Sequence, residues 1–206
     1  MMQILVVTGG IGSGKSQVCR ILADRYGIPV YEADRRAKAL YVEMPQMLDE
    51  IEKTLGVCLR NSSGTFVPKK LADVIFCDAD VLRKVEDIVF PHLKNDFSRW
   101  AEAQGKQVVA LESATVLEKS QFDDFGDVVL LIDAPKSLRL SRACSRDGLD
   151  EGRILERMAA QPLMNIISEG GSCERVDYVI VNDSTIANLH DKIADFIEKY
   201  GLTKML

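Results

Sequence analysis

A nine-residue segment near the start of the chain constrains the fold more than any other feature. Residues 8–16 read Thr-Gly-Gly-Ile-Gly-Ser-Gly-Lys-Ser and follow an apolar run at residues 4–7. A P-loop connects a buried strand to the amino terminus of a helix, so this motif predicts an α/β fold with a phosphate-binding site. The fixed places of the pattern G-x-x-x-x-G-K-[ST] are filled by Gly9, Gly14, Lys15 and Ser16.

The residue types in this loop suit a nucleoside triphosphate. Glycine adopts backbone conformations that other residues avoid, so the loop can fold around a phosphate and direct its N–H groups inward. Lys15 adds a positive charge, and the hydroxyl of Ser16 suits Mg²⁺. No N-K-x-D motif for reading guanine is present, which favours ATP over GTP. The predicted nucleotide ligands are Gly10, Ile11, Gly12, Ser13, Gly14, Lys15 and Ser16, with Ser16 also at the metal.

The composition of the chain indicates which binding partners to exclude and which cellular compartment to expect. The chain has 206 residues, 47% of them hydrophobic, and a net charge of −5, which argues against a general nucleic-acid or membrane-surface binder. Five cysteines without C-x-x-C spacing and two histidines argue against a structural zinc site and favour free thiols in the cytoplasm. The first apolar run leads directly into the loop, so we interpret it as a strand and not a signal peptide. No stretch reaches transmembrane length.

Apolar runs elsewhere predict four more strands, at residues 28–31, 108–111, 128–132 and 178–181. Together with the first run they predict a five-stranded parallel sheet. The helix after the P-loop should end at Gly27, and Ser184 or Thr185 should cap a final helix.

Residues 35–104 form a different pattern, with helical periodicity and no convincing strand. We interpret this segment as a helical insert with a polar turn at residues 60–65. Pro68 suits the first turn of a helix, and a longer helix is predicted from about residue 80 towards residue 105. Pro91 is expected to kink or break that helix.

Two groups outside the loop suit phosphoryl transfer. Asp34 follows the second predicted strand, at a sheet edge where ligands bind, and can accept a proton from an attacking hydroxyl. The alternative for Asp34 is a helix N-cap or a salt bridge. Arg142 and Arg146 lie in a polar helical region, and arginine suits the charge of a transferring phosphoryl group, which predicts a lid.

The sequence allows more than one role for the other charged residues. A solvated basic helix face is the alternative for the arginines, and it is favoured for Arg153 and Arg157. Glu112 and Asp133 end two predicted strands, and either carboxylate suits Mg²⁺ or its waters.

Several of these segments together resemble the dephospho-CoA kinase family, nearly end to end. Residues 8–16 reproduce its opening motif, and Glu32-Ala33-Asp34 is similar to its D-A-D segment. The family's lid segment and its last strand are matched in register by Arg142, Arg146, Asp147, Gln161 and residues 177–182. The resemblance implies a P-loop three-layer α/β/α fold with a core at 1–34, 105–138 and 162–206, a helical CoA-substrate insert at 35–104 and a lid at 139–161.

The resemblance also implies an activity. It predicts phosphorylation of the ribose 3′-hydroxyl of dephospho-CoA with ATP and Mg²⁺, by a monomer or weak homo-oligomer that binds neither nucleic acid nor membrane. Asp34 would be the base, Lys15, Arg142 and Arg146 would assist catalysis, and Asn182 would lie near the adenine. Two places depart from the family pattern: Pro91-His92 replaces His-Pro, and residues 114–118 replace P-L-L-[hydrophobic]-E. Both departures affect the acceptor side.

Two other functions remain open from the residues alone. A kinase for a nucleotide or another small alcohol would use the same architecture, and the insert would distinguish it. A nucleotide-driven switch would use the same phosphate site without an acceptor pocket.

Overall fold

A computed structural model describes residues 2–75, 78–123, 125–168 and 170–202. The strands are β1 (Gln3–Gly9), β2 (Val30–Glu32), β3 (Val108–Glu112), β4 (Val128–Asp133) and β5 (Tyr178–Val181). The predicted parallel sheet is confirmed, with the strand order β2-β3-β1-β4-β5 and parallel pairing between all neighbours. The predicted second strand begins too early, because Pro29 has no N–H to donate to a ladder.

The central strand β1 leads into the P-loop. It pairs with β3 on one side and with β4 on the other, and its last five residues are buried. The P-loop therefore lies at the middle of the carboxyl edge of the sheet, between the ends of β3 and β4.

Helices surround and extend this sheet. Two short 3₁₀ turns, Val116–Glu118 and Ser120–Phe122, follow β3. The α-helices in chain order are α1 (Lys15–Tyr26), α2 (Ala33–Glu43), α3 (Pro45–Leu55), α4 (Pro68–Ile75), α5 (Ala79–Gln104), α6 (Lys136–Asp147), α7 (Glu151–Ala159), α8 (Pro162–Ser168) and α9 (Ile186–Tyr200).

The main hydrophobic core joins the sheet to α1 and α9. As predicted, Gly27 ends α1 in a left-handed conformation, and Thr185 caps α9 by accepting from the N–H of Asn188. Side chains at helical spacing pack against the strands, and burial of each large one contributes about 1.5–3 kcal/mol. They are Val18, Cys19, Ile21 and Leu22 of α1 and Leu189, Ile193, Phe196 and Ile197 of α9.

A second, smaller cluster joins α6 to α7. Its buried centre is formed by Ala143, Ile154 and Met158. Ile11 of the P-loop packs against this cluster, together with Leu140, Cys144 and Leu149. A side chain of the phosphate-binding loop is therefore part of the packing of these two helices.

The chain divides into two compact units: residues through Glu32 with those from Gln104 onwards, and Ala33–Ala103. The described part of the second unit is built from α2, α3, α4 and α5. The sequence predicted a kink or a break at Pro91, and the break does not occur, since α5 continues through this residue. Proline removes only one helical hydrogen bond, and a buried stripe on both sides of Pro91 holds the helix together. The stripe consists of Val85, Val89, Leu93, Phe97 and Ala101.

Polar contacts also hold the second unit together. Arg36 of α2 donates to both carboxylate oxygens of Asp96 in α5, each at 3.0 Å. Such a two-point contact fixes geometry better than a single ion pair. It ties the helix that carries Asp34 to the longest helix of the unit.

Candidate active site

The backbone of the P-loop takes a shape that requires glycine. Gly12 and Gly14 have φ values of 77° and 101°, which other residues rarely adopt. A Cβ on Gly12 would lie 2.1 Å from the carbonyl oxygen of Arg139, and one on Gly14 would lie 2.2 Å from the amide nitrogen of Asn182. The loop thus packs closely against segments that come much later in the chain.

Lys15 lies folded over the loop that precedes it. Its Nζ donates to the carbonyl oxygens of Gly9 at 2.8 Å and Gly10 at 3.3 Å. Helix α1 starts at Lys15, so the unpaired N–H groups and the positive dipole end of that helix lie at the same place. This arrangement is an anion site, and an arriving phosphate would compete with the two carbonyls for the ammonium group.

Asn182 supports the loop from beneath. Its side chain is 8% exposed, and its Nδ2 donates to the carbonyl oxygen of Ser13 at 2.9 Å. Its backbone N–H donates to the carbonyl of Asp133 at 2.7 Å, and its own carbonyl accepts from Arg142 at 3.1 Å. The resemblance predicts Asn182 near the adenine, and the structure gives it this contact with the phosphate loop.

A cavity of about 380 Å³ opens beside Ser16. Its lining includes Glu32 at the end of β2 and Glu112 at the end of β3, which face each other in the strand register. Of the two acidic candidates for the metal, Glu112 therefore shares a cavity with Ser16. Asp133 instead lies 3.8 Å from the guanidinium of the buried Arg139.

Cys19 lines the same cavity with a buried thiol. Burial, reinforced by the negative charge of Glu112, raises the pKa of its thiol well above the ordinary value. The thiol stays protonated at neutral pH, and a thiol is a poor nucleophile. Cys19 therefore packs as a small apolar residue.

The two arginines predicted for the lid have different surroundings. Arg142 is half-buried and donates to Asn182, one residue beyond β5. The more exposed Arg146 forms an ion pair with Asp147 at 2.6 Å, and Arg157 contacts the same carboxylate at 2.6 Å. These two arginines hold the pKa of Asp147 at about 2. Arg157, for which the sequence favoured a solvated role, is thus part of the α6–α7 junction.

Asp34 lies in the first turn of α2, in the second unit, with an exposed side chain. A carboxylate in the first turn of a helix is stabilised by the helix dipole. Asp34 follows Glu32, the last residue of β2, by two positions in the chain.

Sequence reasoning missed the role of Arg139 and noticed Gln161 only through the resemblance. Arg139 is 1% exposed, and burial lowers the pKa of its guanidinium, although the nearby Asp133 opposes that shift. Arg139 and Ala143 are one helical turn apart and are the two buried residues of α6. An arginine on the apolar stripe of an amphipathic helix was the signal that could have identified it.

The comparisons with known proteins identify the family of this chain. The family model described as dephospho-CoA kinase matches residues 3–188. The chain belongs to the dephospho-CoA kinase family. A dephospho-CoA kinase of Porphyromonas gingivalis is 36% identical over 176 residues, which cover 85% of this chain and 84% of that protein. Dephospho-CoA kinases are ATP-using phosphotransferases with an alcohol group as acceptor.

Two solved structures share the fold of this dephospho-CoA kinase family member. TT1252 of Thermus thermophilus superposes with a TM-score of 0.80 at 24% identity and covers 96% of this chain and 97% of its own. The dephospho-CoA kinase of Campylobacter jejuni superposes with a TM-score of 0.64 at 21% identity, covering 97% and 98%. At these identities the two structures support the P-loop kinase fold only.

Among the described residues, no helix has both the length and the apolar character needed to cross a membrane.

Proposed function

We propose that this dephospho-CoA kinase family member transfers the γ-phosphoryl group of ATP to the ribose 3′-hydroxyl of dephospho-CoA. The products are coenzyme A and ADP, and the reaction is the final step of coenzyme A biosynthesis. The observation that carries the proposal is an intact P-loop, closely supported by later segments, within a family match spanning residues 3–188.

The phosphates of ATP would bind at the P-loop. Main-chain N–H groups of the loop other than those of Ile11 and Ser13, which donate to Gln161 and Gly10, would share the negative charge of the phosphates with the α1 amino terminus and the ammonium group of Lys15. Asn182 would hold Ser13 in place beneath them, as its hydrogen bond to that carbonyl indicates. The main-chain donors are in place before ATP arrives, whereas Lys15 would exchange its contacts with the carbonyls of Gly9 and Gly10 for the phosphate.

Mg²⁺ fits the oxygen groups beside the loop. Ser16, Glu32 and Glu112 line one cavity, and hydroxyl and carboxylate oxygens are the ligands this ion prefers. We propose that Ser16 holds the ion and that Glu112 orients it or its waters. When bound, Mg²⁺ would neutralise charge on the β- and γ-phosphates.

Asp34 and the arginines of α6 would complete the chemistry. Asp34 would accept the proton of the 3′-hydroxyl. The oxygen of that hydroxyl would bond to the γ-phosphorus while the bond between the γ-phosphorus and the β-phosphate oxygen breaks. Arg142 and Arg146 would stabilise the charge of the transferring group and exclude water, as part of a lid at residues 139–161. Arg146 would then have to exchange its pairing with Asp147 for the phosphate.

The acceptor would bind to the helical insert, which we place at residues 35–104. The free thiols of Cys19, Cys58, Cys144 and Cys173 support a reducing compartment, the cytoplasm. The net charge of −5 supports a protein that acts on small molecules without binding nucleic acid or membrane. We propose that it does so as a monomer or weak homo-oligomer.

ADP release from Mg-ATP should be measured with dephospho-CoA, adenosine, AMP, CMP and pantetheine as acceptors. We expect strong stimulation by dephospho-CoA alone and a product heavier by one phosphoryl group. Preference for another acceptor would indicate a different small-molecule kinase. Slow hydrolysis without stimulation by any acceptor would indicate a nucleotide-driven switch.

A further inference from the structure

Ile11, in the middle of the P-loop, has its backbone held from both sides by side chains outside the loop. Its N–H donates to Oε1 of Gln161 at 2.9 Å, and its carbonyl oxygen accepts from Nε of Arg139 at 3.0 Å. Gln161 is 4% exposed and Arg139 is 1% exposed. One peptide unit on each side of Ile11 is therefore fixed by a buried polar group.

The same two side chains connect the loop to other parts of the first unit. Gln161, between α7 and α8, also donates from Nε2 to the carbonyl of Ala114 at 3.3 Å, in the segment after β3. The guanidinium of Arg139 lies so close to Gly10 that a Cβ there would be 2.0 Å from Nη2. Ile11 itself packs into the cluster between α6 and α7.

A glycine-rich loop needs such contacts to keep one shape. Glycine loses more conformational entropy on ordering than any other residue, and Gly10 and Gly12 flank Ile11 directly. Rotation of either peptide unit at Ile11 would reorient the N–H groups that follow it. A buried hydrogen bond left half-made costs more than an exposed one, so both contacts resist that rotation.

We propose that Gln161 and Arg139 are positioning residues that hold the P-loop at Ile11 in its phosphate-binding shape. They act through the loop backbone and not by contact with the reacting atoms. This inference deepens the proposed function and rests on it, because ATP is taken as the ligand of the loop. It assigns α6 and the α7–α8 junction a part in ATP affinity.

The test is the dissociation constant for ATP in Gln161→Met, which removes the acceptor for the Ile11 N–H at similar side-chain length. We expect the Kd and the KM for ATP to rise about tenfold, the value of roughly one hydrogen bond. At saturating ATP, kcat should change by less than about threefold, since the transition-state contacts are retained. Arg139→Lys, which keeps the charge but not the Nε–H, should behave in the same way.

A matched control separates positioning from general stability. Arg175 belongs to the same unit and donates to three main-chain carbonyls, those of Val116, Leu117 and Phe122. Arg175→Met should lower Tm without changing the Kd for ATP. A folded Gln161→Met variant that keeps the wild-type Kd for ATP would overturn the proposal, whether or not its Tm is lowered.

Amide hydrogen exchange gives a second readout that does not depend on turnover. In Gln161→Met the Ile11 amide should exchange about tenfold faster than in the wild type, after correction for the rate of global opening. In the Arg175→Met control the exchange rate of the Ile11 amide should be unchanged. Unchanged protection of Ile11 would contradict the contact. Both measurements are made without an acceptor. They would therefore still test the positioning role if the protein failed to phosphorylate dephospho-CoA.

Discussion

Asp34 carries the proton transfer in the proposed reaction, so its replacement is the sharpest test at the scale of one residue. Asp34→Asn keeps the size of the side chain but removes the proton acceptor. We expect kcat to fall by about 10²–10⁴-fold while the Kd for ATP stays nearly unchanged. Both quantities are accessible from ADP release and from direct nucleotide binding.

The control for this substitution is Asp24→Asn, which changes an exposed carboxylate on α1 and should keep wild-type turnover. Survival of most of the turnover in Asp34→Asn would mean that Asp34 only stabilises the first turn of α2. The chemical step would then need another base.

Glu112 provides a second test at this scale, because it shares a cavity with Ser16 while Asp133 lies near Arg139. Glu112→Gln should raise the Mg²⁺ concentration for half-maximal activity about tenfold, since a neutral amide is a weaker partner for a hard cation. Asp133→Asn should leave that concentration unchanged. Equal shifts in both variants would show that the cavity beside Ser16 does not determine the metal requirement.

At the scale of elements, α6 and α7 meet at Asp147. Its pKa is about 2, below the ordinary 3.8, because hydrogen bonds from Arg146 and Arg157 favour the carboxylate. A carboxyl group with a lowered pKa stabilises the folded state above its ordinary pKa, and this contribution is lost as pH falls through the folded-state value. We therefore expect the contribution of the Asp147 ion pairs to the junction to persist down to about pH 4 and to be lost between about pH 4 and 2.

An NMR titration of the Asp147 side-chain carboxyl carbon, with the amide shifts of α6 and α7, checks this expectation. Asp147→Asn should remove the pH dependence of the junction in that window. A titration midpoint for Asp147 at its ordinary value would show that the two ion pairs do not persist in solution.

Local sequence patterns predicted the ends of individual helices better than they predicted contacts between distant residues. Helix α1 ends at Gly27 and α9 begins after Thr185, because capping depends on residues next to the helix end. Of the two outcomes predicted at Pro91, the break does not occur, because a buried stripe along the whole helix outweighs one missing hydrogen bond. That outcome depends on packing and not on the proline itself.

At the scale of the whole molecule, the two units should respond to different ligands. We expect dephospho-CoA to slow amide hydrogen exchange in the helices of Ala33–Ala103, which we propose as the acceptor-binding part. ATP alone should slow exchange mainly in the P-loop and α1. Dephospho-CoA analogues without the adenosine or without the pantetheine portion serve as controls, and protection confined to the first unit would contradict the acceptor assignment.

The sequence by itself determined the P-loop, the five strands and several helix ends, because each depends on residues close together in the chain. Only the tertiary structure decided the strand order, which brings Glu32 opposite Glu112 and their cavity beside Ser16. It also decided that Gln161 meets Ile11 across 150 positions. Periodicity shows which side chains are buried but not which of them meet, because those contacts depend on how distant segments pack.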